Sequence, residues 1–181
     1  MGLDRRGRMS QAAGGGTYQM ARVLNVGILT LSDKGSRGER EDTAGPAIAE
    51  VLESLGPEFV EKAIISDDPA GIVQTLQEWV DAGEVNLIVT TGGTGLGPRD
   101  NTPEATRKVI EREVPGMAEL MRQAGLQHTP MAALSRGIVG VAGTTLIVNL
   151  PGSERGVRQN LEALMPVLAH AVELIAGDTE H

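Results

Sequence analysis

From Val23 onward the chain alternates short apolar runs with stretches whose apolar residues recur every three or four positions. VLNVGILTL (23–31) is almost continuously apolar, the pattern of a strand buried on both faces. After the polar loop SDKGSRGEREDT, the segment AGPAIAEVLESLG sets Ile48, Val51, Leu52 and Leu55 on one helical stripe closed by Gly56. FVEKAIIS predicts a second strand, and PAGIVQTLQEWVDAG predicts a helix with Pro69 near its start and Gly83 at its end. NLIVTT (86–91) predicts a third buried strand running into the glycine-rich GGTGLGPRDNTPEA. From there the helix PEATRKVIEREV departs, with Thr102 as its cap and Pro103 as its first helical position. MAELMRQAGL predicts another short helix, and MAALSRGIVGVAGTTLIVNLPGS predicts two strands joined at Ala142-Gly143. The final helix is expected from about Ser153 to Ile175, bent or interrupted at Pro166. Strand and helix in alternation predict a single α/β domain, a three-layer α/β/α unit around a mainly parallel sheet.

The first 22 residues carry four arginines, one aspartate, a triple glycine and no periodicity, and are expected to be a disordered tail ahead of a domain spanning 23–181. Without that tail 12 basic and 23 acidic residues remain, a net charge of −11. That is the wrong sign for a phosphate-backbone binder, and with three aromatics (Tyr18, Phe59, Trp79) there is no base-stacking platform, so nucleic acid is not an expected partner. The absence of cysteine rules out disulfides, thiolate metal sites and thiol nucleophiles, and fits a cytoplasmic protein. No apolar run reaches the ~20 residues of a bilayer span, so no membrane association is expected.

In open parallel sheets ligands bind where strand ends and their following loops meet, which singles out SDKGSRGERED, GGTGLGPRD and PGSERG. Glycines at 92, 93, 95 and 97 let successive N–H groups approach an anion, so this loop has the makings of a phosphate cradle. It has no lysine for a Walker A loop, and Pro98 stands where a dinucleotide fingerprint read from Gly93 requires glycine. A strand-to-helix turn without ligand is the plainer alternative. Asp100 has two readings, a carboxylate for a phosphate-bridging cation or a helix cap. Asp67 and Asp68 precede Pro69, and one of them suffices as an N-cap. Ser32 and Asp33 end the first strand, and Asn149, Pro151, Gly152 and Ser153 follow or end the last. The three histidines show no metal-binding spacing, and no serine sits in a nucleophile elbow.

Taken in order, VGILTLSD, TTGGTGLGPRDNTPEAT, LSRG and LIVNLPGS resemble the molybdopterin adenylyltransferases, the family of bacterial MogA and MoaB and of the G domains of plant and animal homologues such as gephyrin. The resemblance runs from about Val23 to Gly177 and implies a compact α/β/α trimer. It further implies Mg-ATP-dependent transfer of AMP to molybdopterin with release of pyrophosphate. ATP and molybdopterin are the implied substrates, Mg the implied cofactor, and other molybdenum cofactor biosynthesis proteins are further implied partners. Asp67 and Asp100 correspond to the family's catalytic aspartates, Asp100 as the residue that organises Mg. Gly92, Gly93, Thr94 and Gly95 match its anion-binding loop, and Ser32 and Asp33 match the end of its first strand. Glu119, Ser135, Asn149, Pro151, Gly152 and Ser153 match its pocket wall, although Glu119 reads as plain surface from local sequence and PGSERG departs from the PGNP of the eukaryotic domains. Two rival readings stay open: a MoaB-like trimeric pterin-binding protein with little catalysis, and a nucleotide pyrophosphatase of the competence-damage type.

Overall fold

The computed structural model describes residues 23–177, so the tail expected over 1–22 and the last four residues lie outside the described residues. Six strands form one sheet: β1 (Asn25–Leu31), β2 (Glu58–Ile65), β3 (Leu87–Thr91), β4 (Arg112–Glu113), β5 (Val139–Ala142) and β6 (Thr145–Leu150). Their order is β2-β1-β3-β6-β5-β4, with the first four parallel and β5 and β4 antiparallel to their neighbours. The α-helices among the described residues are α1 (Asp33–Ser36), α2 (Ala44–Leu52), α3 (Pro69–Ala82), α4 (Thr102–Arg107), α5 (Pro115–Leu126) and α6 (Glu154–Ala176).

Period-two alternation of the strands feeds two aliphatic cores. Val26, Ile28, Val89 and Val148 face α2, α5 and α6, where Ile48, Met121 and Leu161 receive them. Leu29, Leu31, Ile88 and Ile147 face α3 and α4, against Ile72, Leu76 and Ala105. This is the expected α/β/α sandwich. Its buried central strands β3, β5 and β6 contrast with the largely exposed edge strand β2. Among the described residues no helix is long and apolar enough to cross a membrane.

Several elements differ from the expected pattern. The helix expected through Val114 stops at Arg107, because the sheet captures the following segment: Glu111 N–H donates to Val141 O at 2.8 Å and Val114 N–H to Val139 O at 2.7 Å. Pro115 favours extended backbone at Val114, reinforcing that choice, and opens α5 itself. Asn101, not Thr102, occupies the cap position of α4, so Pro103 is its second residue. The stretch expected to begin a strand at MAAL forms a 3-10 turn over Pro130–Leu134, and the loop after β1 contains the one-turn helix α1. α6 continues through Pro166 without interruption, since that residue is exposed and water can serve the Glu162 carbonyl left without its donor.

The chain leaves β1 for β2 on one side and returns to β3 on the other, which makes the carboxyl ends of β1 and β3 the switch point of the sheet. Leu31 and Thr91 stand there, and so do the loops that follow them.

Candidate active site

A cleft of about 340 Å³ opens at that switch point. Ser32, Asp67, Gly92, Gly93, Asp100 and Ser153 share its wall, drawn from the ends of β1, β2, β3 and β6. Each is placed by a local cause. Ser32 caps α1, accepting from Gly35 N–H at 3.0 Å, and Ser153 caps α6, accepting from Gly156 N–H at 3.1 Å. Both hydroxyl oxygens are thereby committed as acceptors.

The two readings left open at Asp67-Asp68 separate cleanly. Asp68 caps α3, its carboxylate accepting from Gly71 N–H at 2.9 Å, while Asp67 turns toward β1. There Asp67 Oδ2 accepts from Asp33 N–H at 2.9 Å and Asp33 Oδ1 accepts from Asp67 N–H at 3.1 Å, a reciprocal pair that joins the two strand ends. Partial burial is the main cause that raises the Asp67 carboxyl above its usual pKa, and the nearby Asp33 and Asp100 charges add to it against the Asp33 N–H bond and Arg99. Asp33 lies on the opposite side: the hydrogen-bonded Arg99 guanidinium, chiefly, and the Asp67 N–H hold its carboxyl below the usual value. Arg99 forks onto Asp33 with contacts of 2.8 and 3.1 Å, tying the glycine loop to the first strand's end. The neighbouring aspartates therefore predict opposite phenotypes. Asp68→Ala is expected to cost roughly 1 kcal/mol of stability with near-normal activity, whereas Asp67→Asn is expected to leave the melting midpoint within about 2 °C and lower turnover by tenfold or more; thermal melts and steady-state rates on both variants check this.

The glycine loop starts with two residues in positive-φ backbone, Gly92 at 101° and Gly93 at 63°. The N–H groups of Gly93, Thr94, Gly95 and Leu96 donate to no protein acceptor among the described residues; of the four only Gly93 lines the cleft, while Thr94 and Gly95, expected in the anion-binding loop, lie beside its wall. Asp100 closes the loop by accepting from Gly97 N–H at 2.7 Å through Oδ2. It does not cap α4, and α4 has no side-chain cap at all. Thr102, fully buried, donates its hydroxyl to Gly92 O at 2.8 Å and its N–H to Gly93 O at 3.1 Å, fastening the loop onto the helix.

The cleft is acidic for an anion site. Glu41, Asp42, Asp67 and Asp100 line it against one cation, Arg40, so the wall itself would repel a bare polyphosphate. Among the described residues no three histidine or carboxylate side chains gather as a protein-only metal cage. Carboxylate oxygens with no nitrogen or sulfur donor beside them are the chemistry that suits a hard cation of the Mg kind. Asp100 and Asp67, both in the cleft wall, would be the residues to hold one.

Not every residue matched to the family pocket reaches the cleft. Asn149 is buried, donating from Nδ2 to Thr90 and Thr106 hydroxyls at 3.0 Å each. Pro151 accepts from the Thr91 hydroxyl at 2.7 Å, and Gly152 carries the wall on to Ser153. Ser135 and Glu119 lie outside the cleft wall, Ser135 accepting weakly from Gly137 N–H at 3.4 Å and Glu119 on the exposed face of α5. Conversely, Asp42 went unnoticed in the sequence. Its carboxylate accepts from Ala44 and Gly45 N–H at 3.1 and 3.0 Å and from the Thr30 hydroxyl at 2.8 Å, and the signal that could have found it is an aspartate two residues before a helix.

A family model described as "Probable molybdopterin binding domain" matches residues 27–170. The chain belongs to this molybdopterin-binding domain family. It is 42% identical over 158 residues to a molybdopterin adenylyltransferase of Helicobacter pylori strain J99, covering 86% of this chain and 90% of that one. It is also 42% identical over 156 residues to the Drosophila melanogaster molybdenum cofactor synthesis protein cinnamon, of which it spans 26%. Among solved structures, the molybdopterin biosynthesis enzyme MoaB of Thermus thermophilus superposes with a TM-score of 0.82 at 57% identity, covering 86% of this chain and 98% of that one. In family terms the glycine loop and its two carboxylates occupy the sheet's switch point, the position where α/β proteins bind phosphorylated ligands.

Proposed function

We propose that this protein is a molybdopterin adenylyltransferase, a nucleotidyltransferase of molybdenum cofactor biosynthesis that uses Mg-ATP. The observation that supports the reading is the run of four unpaired N–H groups, Gly93 to Leu96, in a loop whose Gly92, Gly93 and Asp100 share one cleft wall with Asp67. A terminal phosphate oxygen of molybdopterin attacks the α-phosphorus of ATP. The new P–O bond forms as the bond to the β-phosphate's bridging oxygen breaks, and pyrophosphate leaves with that electron pair. The nucleophile is already anionic, so the site needs no general base and no covalent side chain. This accords with a cleft wall that has no histidine and whose Ser32 and Ser153 hydroxyls serve as helix caps.

In this reading Asp100 and Asp67 hold the cation that accompanies the phosphates, and the N–H groups of the loop receive phosphate oxygens. Mg, when bound, neutralises phosphate charge as it builds on the leaving pyrophosphate. Gly152 and the α6 N-terminus at Ser153 add backbone dipole to the same wall. The MoaB-like and pyrophosphatase readings differ in their products. Purified protein, molybdopterin, Mg and α-labelled ATP should give a labelled pterin and pyrophosphate. Pterin binding without label transfer would establish the binding-protein reading, and release of labelled AMP with no labelled pterin would establish a pyrophosphatase.

The associated assembly is a homotrimer working in the cytoplasm, with the catalytic domain over 23–181. Deleting residues 1–20 is expected to leave both transfer rate and trimeric mass unchanged, since that segment has little apolar surface to bury. Light scattering and the label-transfer assay test both halves of that expectation, and a monomer would refute the domain boundary.

A further inference from the structure

Arg136, in the LSRG segment, does not line the cleft, yet three of its atoms grip the glycine loop that enters the cleft wall at Gly92, Gly93 and Asp100, and a fourth reaches α4. Its backbone N–H donates to Thr94 O at 2.9 Å, Nε to Gly95 O at 2.7 Å and Nη2 to Asp100 O at 2.5 Å, while Nη1 pairs with Glu104 at the start of α4. In a trans peptide the C=O of one residue and the N–H of the next point in opposite directions. Drawing the Thr94 and Gly95 carbonyls to Arg136 therefore turns the N–H groups of Gly95 and Leu96 away from it, and the Asp100 carbonyl does the same for Asn101 N–H. None of these three N–H groups has a protein acceptor among the described residues. Carbonyl oxygens left facing an anion would repel it. Here the Arg136 cation, itself outside the cleft wall, collects three of them.

We propose that Arg136 is a positioning residue that sets the polarity of the glycine loop, holding its carbonyls back and its N–H groups out toward phosphate, and that fixes Asp100 through that residue's own carbonyl. The inference rests on the proposed phosphate chemistry of this cleft but not on which molecule is adenylylated. Lysine cannot replace the arginine fully, because three acceptors in different directions require the planar fork.

The test compares the full-length protein with Arg136→Met and Arg136→Lys, reading Mg-ATP affinity by calorimetry and exchange of the hydrogen-bonded loop amides Gly97, Asp100 and Thr102. Arg136→Met is expected to weaken Mg-ATP by about tenfold to a hundredfold, the scale of lost charge-assisted hydrogen bonds. Exchange should accelerate in the loop while β1 and α3 keep wild-type rates, and Arg136→Lys should fall between the two proteins. Wild-type affinity in Arg136→Met would overturn the inference. So would acceleration spread evenly through the sheet, which marks a merely structural residue. If Arg136→Met does not fold, Arg136→Lys decides, and wild-type affinity there would show the fork to be dispensable. A wild-type protein that binds Mg-ATP but labels no pterin would end the adenylyltransferase reading and leave the Arg136 result standing; one that binds no Mg-ATP would end both.

Discussion

Asp100→Asn is expected to lower AMP transfer at least roughly 100-fold, the scale on which single preorganised electrostatic groups act, while leaving the fold and pterin binding intact. The geometry explains why the loss is selective. Asp100 closes the glycine loop by accepting from Gly97 N–H at 2.7 Å, and an asparagine carbonyl oxygen in the same place can accept that hydrogen bond. The backbone carbonyl held by Arg136 is untouched by the substitution. What disappears is one negative charge in the cleft wall, the charge that in the proposed reading would hold the cation accompanying the polyphosphate. The variant should therefore melt within about 2 °C of the wild type, retain pterin affinity and lose Mg dependence along with rate. Turnover at the wild-type rate would remove Asp100 from the reaction altogether.

How much of this was legible in the sequence differs from residue to residue, for physical reasons. β1, β3 and β6 were legible because strands buried on both faces are written as continuous apolar runs, and α3 because Pro69 and Gly83 punctuate an apolar stripe. β4 was not, since a two-residue strand owes its existence to the free edge of β5 rather than to its own composition. The loops that build the cleft could be named from strand ends and glycines. The direction of each side chain could not. Asp67 and Asp68 are equivalent on paper, and only the reciprocal bonds with Asp33, 34 residues away, separate cap from cleft wall. Asn149 matched a pocket motif but is buried, its amide donating to the Thr90 and Thr106 hydroxyls, because β6 is covered on both faces. Arg136 is a single arginine in a loop. Its part emerges only once four partners in two other segments have been brought around it.

Gly93→Ala is expected to destabilise the protein by about 2–4 kcal/mol, combining left-handed backbone for a residue with a Cβ and the loss of a buried hydrogen bond. That corresponds to a midpoint lowered by roughly 5–15 °C in a chain of this size, and transfer should fall to background with it. At φ 63° the added Cβ collides with the Thr102 hydroxyl oxygen. Thr102 has no exposed surface through which to move, and it supplies both bonds that fasten the loop to α4. The neighbouring Gly97→Ala gives the contrast. Its Cβ would meet Asp100 Oδ2 at 2.9 Å, the end of a mobile carboxylate, and its backbone is not in the left-handed region. Activity should fall there with little change in melting. If the collision is the cause at Gly93, adding Thr102→Ala should make Gly93→Ala/Thr102→Ala more stable than the two single losses sum to, a coupling measurable in a thermal double-mutant cycle. Strict additivity would place the cost in the backbone alone.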